Sequence, residues 1–263
     1  TGASTGIGQQ AAFALADLGY EVFAGVRKDA AGEKLKALRP DLKNLHPIIL
    51  DVVKSDQIKK AQDEIENFCE EKNLPFVSLV NNAGVAFTGP LEFYDLEKMR
   101  WTYDVNVFGL METTKEFIPL LRKDQGRIVN IGSVAGLFGG KLFSVYCGTK
   151  WAVEGLSESL RRELAPFGVS VSVIEPAYVR TPILDKGPDL TVEYGEEATR
   201  LYDLARIEAA SEKAMAFADS TAVTDAVIVD AIVNPRPQVS YVCANVGGLP
   251  AKILTFLKWL LPW

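Results

Sequence analysis

Histidine is almost absent from this 263-residue chain: His46 is the only one. That rules out most Ser-His-Asp and zinc schemes. His46 precedes a strand candidate and reads as a surface residue. Cysteine is scarce too. Cys69, Cys147 and Cys243 are odd in number and lack the close pairs of metal ligands, so neither a disulfide framework nor a metal site is expected. A reducing compartment is the default for such a chain. There is no basic stripe, and the formal net charge is −6, which argues against a nucleic-acid partner. Nor is there an uninterrupted apolar run of about 18 residues, the least that reads as a membrane-spanning helix. The expected location is cytoplasmic or, through an apolar tail, peripheral to a membrane. The chain also lacks an initiator methionine and opens on Thr1-Gly2, which already reads as a turn. Any targeting signal would lie upstream of it.

What is present is regular. Strand candidates at 22–26, 47–50, 76–80, 128–131 and 169–174 alternate with helical patterns at 30–38, 58–68, 96–121 and 146–164. Pro119 is expected to disturb the end of the third of these helices and Pro176 to stop the last strand. With no repeat and no low-complexity linker, the alternation reads as βαβ units in one domain spanning 1–263. The fold class is α/β: a Rossmann-type, doubly wound parallel sheet with helices on both faces. Such sheets bind ligands beyond the carboxyl ends of their strands. The polar, acid-rich stretch 184–224 breaks the rhythm. It is expected to be a substrate loop or lid with helices of its own, the alternative being a solvated insertion.

The opening Thr1-Gly2-Ala3-Ser4-Thr5-Gly6-Ile7-Gly8 runs straight into an apolar helix at 11–18. Gly2, Gly6 and Gly8 let the backbone approach a pyrophosphate, and Ser4, Thr5 and Ile7 complete a cradle at the positive end of the helix. A strand should lead into such a turn, so a first, central strand is expected upstream. At the end of 22–26 an NAD site normally carries an acid for the ribose hydroxyls. Here the residues are Gly25-Val26-Arg27-Lys28. Arg27 suits a 2′-phosphate through charge-assisted hydrogen bonds, so NADP(H) is favoured over NAD(H).

Tyr146 and Lys150 lie one turn apart on a predicted helix and share a face. An ammonium beside a phenol favours the phenolate, so Tyr146 can serve as general base in alcohol oxidation and general acid in ketone reduction. Ser133 follows the strand 128–131, where its hydroxyl can hold the substrate oxygen. Asn106 sits among apolar neighbours, either as a satisfied core amide or to hold a water or the lysine.

Taken together, these residues resemble the short-chain dehydrogenase/reductase family over essentially the whole chain. The resemblance rests on Thr1-Gly2-(three residues)-Gly6-Ile7-Gly8, Asp51-Val52, Asn81-Asn82-Ala83-Gly84, Asn106, Ser133 and Tyr146-(three residues)-Lys150. It implies a catalytic set of Asn106, Ser133, Tyr146 and Lys150, with Lys150 also holding the nicotinamide ribose. It puts Asp51 and Val52 near the adenine and Asn82, Ala83 and Gly84 beside the cofactor. Pro176, Val179 and Thr181 would meet the nicotinamide carboxamide. The family's usual Pro-Gly is here Pro176-Ala177, which touches the local turn. Family members commonly associate through helices corresponding to 96–121 and 146–164, so a homo-oligomer is expected.

The implied activity is an NAD(P)-dependent oxidoreductase that moves a hydride between nicotinamide and a carbonyl or a primary or secondary alcohol. Ile174-Glu175-Pro176 and the apolar tail resemble the retinol and 17β-hydroxysteroid dehydrogenase branch, which implies a lipophilic steroid-, retinoid- or fatty-type substrate. Leu137, Phe138, Phe143 and Tyr178, with Ser133, are the candidate pocket wall. The tail 249–263 carries Lys252, Thr255 and Lys258 as a narrow polar strip on an apolar helix. It reads as a cover for the substrate mouth or a partner contact, or as a helix lying in a membrane interface. Two other functions fit the motifs: a non-catalytic nicotinamide-binding regulatory or scaffold protein, and an epimerase or dehydratase on the same fold.

Overall fold

The computed structural model describes residues 1–183, 190–246 and 248–260. β1 (Val22–Val26) and β2 (Leu45–Ile49) pair in parallel, and β3 (Ser78–Asn81), β4 (Arg127–Ile131), β5 (Ser170–Pro176) and β6 (Ser240–Cys243) pair in parallel in that order. Residues 1–3 bridge the two sets. Thr1 N donates to Val80 O at 2.8 Å and Ala3 N to Gly25 O at 2.9 Å. Beside this bridge the sets flank an apolar cleft of about 360 Å³, walled by Phe23, Ile48, Leu79 and Phe117 among others. Parallel strands covered on both faces must be apolar throughout. In β4 four successive residues, Ile128 to Ile131, are buried, and Asn130 among them is satisfied by Asn81 and Ser157.

The alternation along β4 sorts the helices. Ile128 packs with Phe117 and Leu121 of α5 (Gly109–Asp124), Ala61 and Ile65 of α3 (Ser55–Lys72) and Leu164 of α6 (Ser144–Leu164). Val129 and Ile131 face the other way, onto Ala11 and Leu15 of α1 (Gly6–Asp17) and Ile228 of α9 (Ala222–Val233). α2 (Asp29–Leu38) closes the outer edge through Leu35, fully buried against Leu45 and Phe13. The result is one α/β unit with helices on both faces of parallel strands.

Two expectations need correcting, the effect of Pro119 and the set of strands. Pro119 does not end its helix: α5 runs through it to Asp124, held by the buried Leu120 and Leu121. The break falls earlier, where a π-helical turn at Asp104–Phe108 separates α4 (Leu96–Tyr103) from α5. Pro176 stops its strand as expected, being the last residue of β5. Pro47 sits inside β2, which pairs with β1 alone among the described strands, so its missing N–H costs no ladder bond. β6, absent from the sequence reading, adds the fourth strand to the larger set.

Within 184–224, residues 184–189 lie outside the described residues. The rest folds as α7 (Leu190–Tyr202), kinked at Gly195 with φ 76°, and α8 (Leu204–Ala216). Residues 222–224 already belong to α9. Glu193 pairs with Lys98, Tyr194 Oη donates to Thr88 O at 2.8 Å, and Tyr202 Oη donates to Glu92 Oε1 at 2.7 Å. These contacts fasten the stretch to the 87–98 segment. The tail begins with a short antiparallel pair, β7 (Asn245–Val246) and β8 (Leu249–Pro250), then α10 (Ala251–Leu260); residues 261–263 lie outside the described residues. Ala251 is buried, whereas Ile253 and Phe256 are exposed.

Phe117, 1% exposed, stacks obliquely on Phe76 with ring centroids 5.4 Å apart. Phe117→Ala should cost about 3–5 kcal/mol of stability in urea denaturation. The same truncation at the exposed Leu38 should cost about 0.5 kcal/mol or less.

Candidate functional site

At the carboxyl ends of the strands the glycine-rich turn is shaped by backbone that side chains would obstruct. Gly2 (φ +64°) and Gly6 (φ +60°) occupy left-handed conformations. A Cβ at Gly2 would lie 2.8 Å from Ala83 Cα, and one at Gly6 would lie 3.2 Å from Thr181 Cβ. Asn82 pins the turn: its Nδ2 donates to Thr1 O at 3.0 Å and to Gly2 O at 3.1 Å. In return Thr1 Oγ1 accepts from Asn82 N and Ala83 N, both at 3.0 Å. α1 starts at Gly6 with no side-chain cap, so its first N–H groups are free to meet an anion. A cradle that a Cβ would fill, floored by free N–H donors, fits a pyrophosphate.

Above the turn, Ser4, Thr5, Ile7, Arg27, Asp51 and Val52 line a cleft whose other wall carries Asn82, Ala83 and Gly84. Gly8 is not on this wall. It backs onto Asn82, where a Cβ would collide with the amide and come within 2.6 Å of Gly2 O, so its need is for close packing. Ile7, Asn82, Gly84 and Thr181 border both this cleft and an inner pocket of about 220 Å³. The inner pocket brings together Ser133, Tyr146, Lys150, Pro176, Val179 and Thr181, with Phe138, Phe143 and Tyr178 on its apolar wall. Leu137 is not among its lining residues, a departure from the expected wall.

α6 carries the two titratable groups. Lys150 is buried, and its Nζ donates to Ile131 O at 2.7 Å, 5.7 Å from the centre of the Tyr146 ring. Burial lowers its pKa to about 8, against the attraction of Glu154. Burial likewise pushes the Tyr146 phenol up to about 12, opposed by a hydrogen bond with Ser133. Ser133 Oγ is itself held by Ala135 N at 3.1 Å. Tyr146 is therefore a protonated phenol at neutral pH, with a serine hydroxyl and an ammonium beside it.

Asn106 stands apart. Its Oδ1 accepts from Val85 N at 2.8 Å, and its Nδ2 donates to Val85 O at 2.8 Å and Thr149 Oγ1 at 3.1 Å. It ties the π-helical turn to the cofactor-side segment and to α6, and no hydrogen bond links it to Lys150. Of its two sequence readings the satisfied amide describes these contacts.

The short chain dehydrogenase family model matches residues 1–189. The chain belongs to the short-chain dehydrogenase family. It is 36% identical over 217 residues to the mitochondrial D-beta-hydroxybutyrate dehydrogenase of Mus musculus, covering 81% of this chain and 58% of that protein. To 17-beta-hydroxysteroid dehydrogenase type 6 of Bos taurus it is 40% identical over 189 residues, covering 70% and 57%. The chain thus spans less than two thirds of either relative. Among solved structures, a short chain dehydrogenase/reductase from Burkholderia phymatum in complex with NAD superposes with a TM-score of 0.77 at 25% identity, over 97% of this chain and 89% of that one. A gluconate 5-dehydrogenase from Burkholderia cenocepacia in complex with NADP and tartrate gives 0.63 at 25% identity, over 70% and 71%.

Sequence reasoning missed several residues of this short-chain dehydrogenase site. Thr1 acts through partners distant in sequence, and Thr149 links distant Asn106 to the Tyr146 carbonyl. Glu154, with Oε1 buried, lies one turn beyond Lys150 on α6, and Glu175 is a fully buried acid of β5. A signal for them existed: Glu154 follows Lys150 by one helical turn, and Glu175 is the one charged residue in its strand, where a buried charge needs a partner.

Proposed function

We propose that this protein is an NAD(P)-dependent oxidoreductase acting on a lipophilic alcohol or ketone, with Tyr146 as the proton-transferring group. The observation that carries this reading is the convergence of Tyr146, Ser133 and Lys150 at one end of a pocket that opens into the glycine-rich cleft. The residues fit a dinucleotide: the Gly2–Gly6 turn and the start of α1 would hold its phosphates, and Lys150 and Thr181 its nicotinamide end. When bound, the nicotinamide supplies or accepts the hydride. Ser133 orients the substrate oxygen toward Tyr146. In reduction the Tyr146 hydroxyl donates its proton to that oxygen. In oxidation the phenolate receives it, and the Lys150 ammonium stabilises the phenolate charge.

The pocket wall supports the substrate class. Among its described residues Lys150 is the sole cation, and the proposed reaction commits its remaining donors to the nicotinamide end and the Tyr146 phenolate. A substrate carboxylate would be desolvated there with no second cation to compensate it. A neutral secondary alcohol of steroid, retinoid or fatty type fits. A small hydroxy acid, the substrate class in the mouse relative's name, is the competing reading. A substrate panel with both cofactors tests this: turnover of neutral lipophilic alcohols well above that of 3-hydroxybutyrate is expected, and the reverse order contradicts it. Because Tyr146 must be protonated for reduction and ionised for oxidation, reduction should fall and oxidation rise with increasing pH. Tyr146→Phe should lose about 100-fold or more in kcat while nicotinamide fluorescence still reports cofactor binding. Retained turnover would overturn the assignment.

NADP is the cofactor we assign. Arg27 is exposed at the rim of the cleft and makes no hydrogen bond or ion pair among the described residues, which leaves it available to a 2′-phosphate. Arg27→Asp should weaken NADP(H) at least tenfold, on the order of one lost charge-assisted bond, and leave NAD(H) within about twofold. Equal losses contradict the choice.

Two contacts complete the proposal. Phe108, Met111 and Trp151 are exposed on the π-helical turn, α5 and α6, a surface suited to a second copy of the chain. Ile253 and Phe256 expose an apolar face of α10, suited to peripheral contact with a membrane from a cytoplasmic, reducing compartment. No helix among the described residues is long and apolar enough to cross one. A dimer mass in solution that is lost in Phe108→Glu, and vesicle cosedimentation lost in Phe256→Glu, are expected; unchanged behaviour removes the corresponding contact.

A further inference from the structure

Behind the catalytic helix lies a group of charges that proton transfer at Tyr146 does not itself use. Glu154 sits on α6 one turn beyond Lys150, and its Oε1 is buried with no hydrogen-bond partner among the described residues. That oxygen is lodged against Gly132, between Ile131, whose carbonyl holds Lys150, and Ser133. A Cβ at Gly132 would lie 2.7 Å from it and 2.8 Å from Val173 Cγ1, so the glycine leaves room for the carboxylate. Across from it, Glu175 of β5 is 1% exposed, and its carboxylate accepts from Ser240 Oγ at 2.7 and 2.9 Å. An acid oxygen buried without a donor is costly unless a nearby cation offsets it. The cations bearing on Glu154 are Lys150 and Arg161, both of α6, and the one opposing charge is Glu175 of β5. The strand-end turn that holds Gly132 and Gly136 contributes none. Arg161 donates to Val171 O at 3.0 Å, two helical turns from Glu154. Lys150 is one turn away, and Glu154 is the charge that bears on it.

We infer that Glu154 is a positioning residue for the proposed reaction: its carboxylate, with Oε1 buried against Gly132, keeps the Lys150 ammonium charged beside Tyr146. The inference rests on Tyr146 as the proton-transferring group. Its physical content is electrostatic coupling along one helix face. Burial, and then repulsion from Glu175, raise the Glu154 pKa to about 7, against the pull of Lys150 and Arg161. Burial with no compensating anion would drive the Lys150 ammonium to lose its proton more readily than it does at about 8. As pH rises through 7 a negative charge therefore appears beside Lys150 and strengthens its hold on its proton.

The test is a pH titration of the full chain labelled with 13Cε-lysine, followed by NMR without cofactor. The Lys150 resonance is identified by its loss in Lys150→Arg. The wild-type resonance should titrate near 8 and carry a second inflection near 7, where Glu154 ionises. In Glu154→Gln that inflection should vanish and the main midpoint should fall by about one pH unit. Glu154→Asp should preserve both. A single-step wild-type titration overturns the inference without any variant, and so does an unmoved midpoint in Glu154→Gln. The readout involves no turnover, so its failure is separate from failure of the hydride-transfer reading, which Tyr146→Phe tests.

Discussion

The bond from Lys150 Nζ to Ile131 O joins the helix that carries the proposed chemistry to the end of the strand around which the fold is built. β4 is buried on both faces and ends at Ile131, its last residue paired with β5, and Lys150 Nζ donates to the carbonyl there. α6 is thereby fixed in rotation about its axis. Tyr146, one turn earlier, must then face Ser133, which leaves the same strand two residues after Ile131. The same constraint has an electrostatic consequence. A lysine buried deeply enough to reach Ile131 holds its proton weakly, and the site must counter that to use the lysine as a cation. The acids behind it belong to the same physical problem.

A second constraint acts at the cofactor end. Gly2 and Gly6 bring the first turn against Ala83 and Thr181, and Asn82 locks the turn from behind through two carbonyls. The cleft and the inner pocket share Ile7, Asn82, Gly84 and Thr181, so the two ends of a dinucleotide would be set by one rigid surface. The described part of the polar excursion contributes Met215 to the inner pocket and is latched to 87–98 by Glu193, Tyr194 and Tyr202. Most of the architecture serves to hold these two loci in fixed relation.

How much of this was legible in the sequence followed the range of the interactions. The parallel architecture came through because buried strands such as 128–131 are apolar but for one residue, Asn130, and are spaced by amphipathic helices. Tyr146 and Lys150 were legible because one helical turn is local geometry. Asn106 was legible as unusual, but its partners Val85 and Thr149 are tertiary, and they give it a structural bond set. Pro119 misled because packing of Leu120 and Leu121 outweighs one missing helix bond. β6 escaped because Ser240 to Cys243 is short and begins exposed, and only pairing with β5 makes it a strand. Glu154 looked like any solvated helix acid until Gly132 and Glu175 were brought beside it.

The central claim is that a hydride passes between nicotinamide and a substrate carbon held at Tyr146 and Ser133. The most direct measurement is turnover of a neutral lipophilic ketone with reduced nicotinamide deuterated stereospecifically at C4, followed by NMR of the alcohol. The account predicts one deuterium on the carbinol carbon, from one face of the cofactor, with the hydroxyl proton drawn from solvent. Product carrying no deuterium there, or formed without net oxidation of cofactor as an epimerase or dehydratase would form it, would contradict the account.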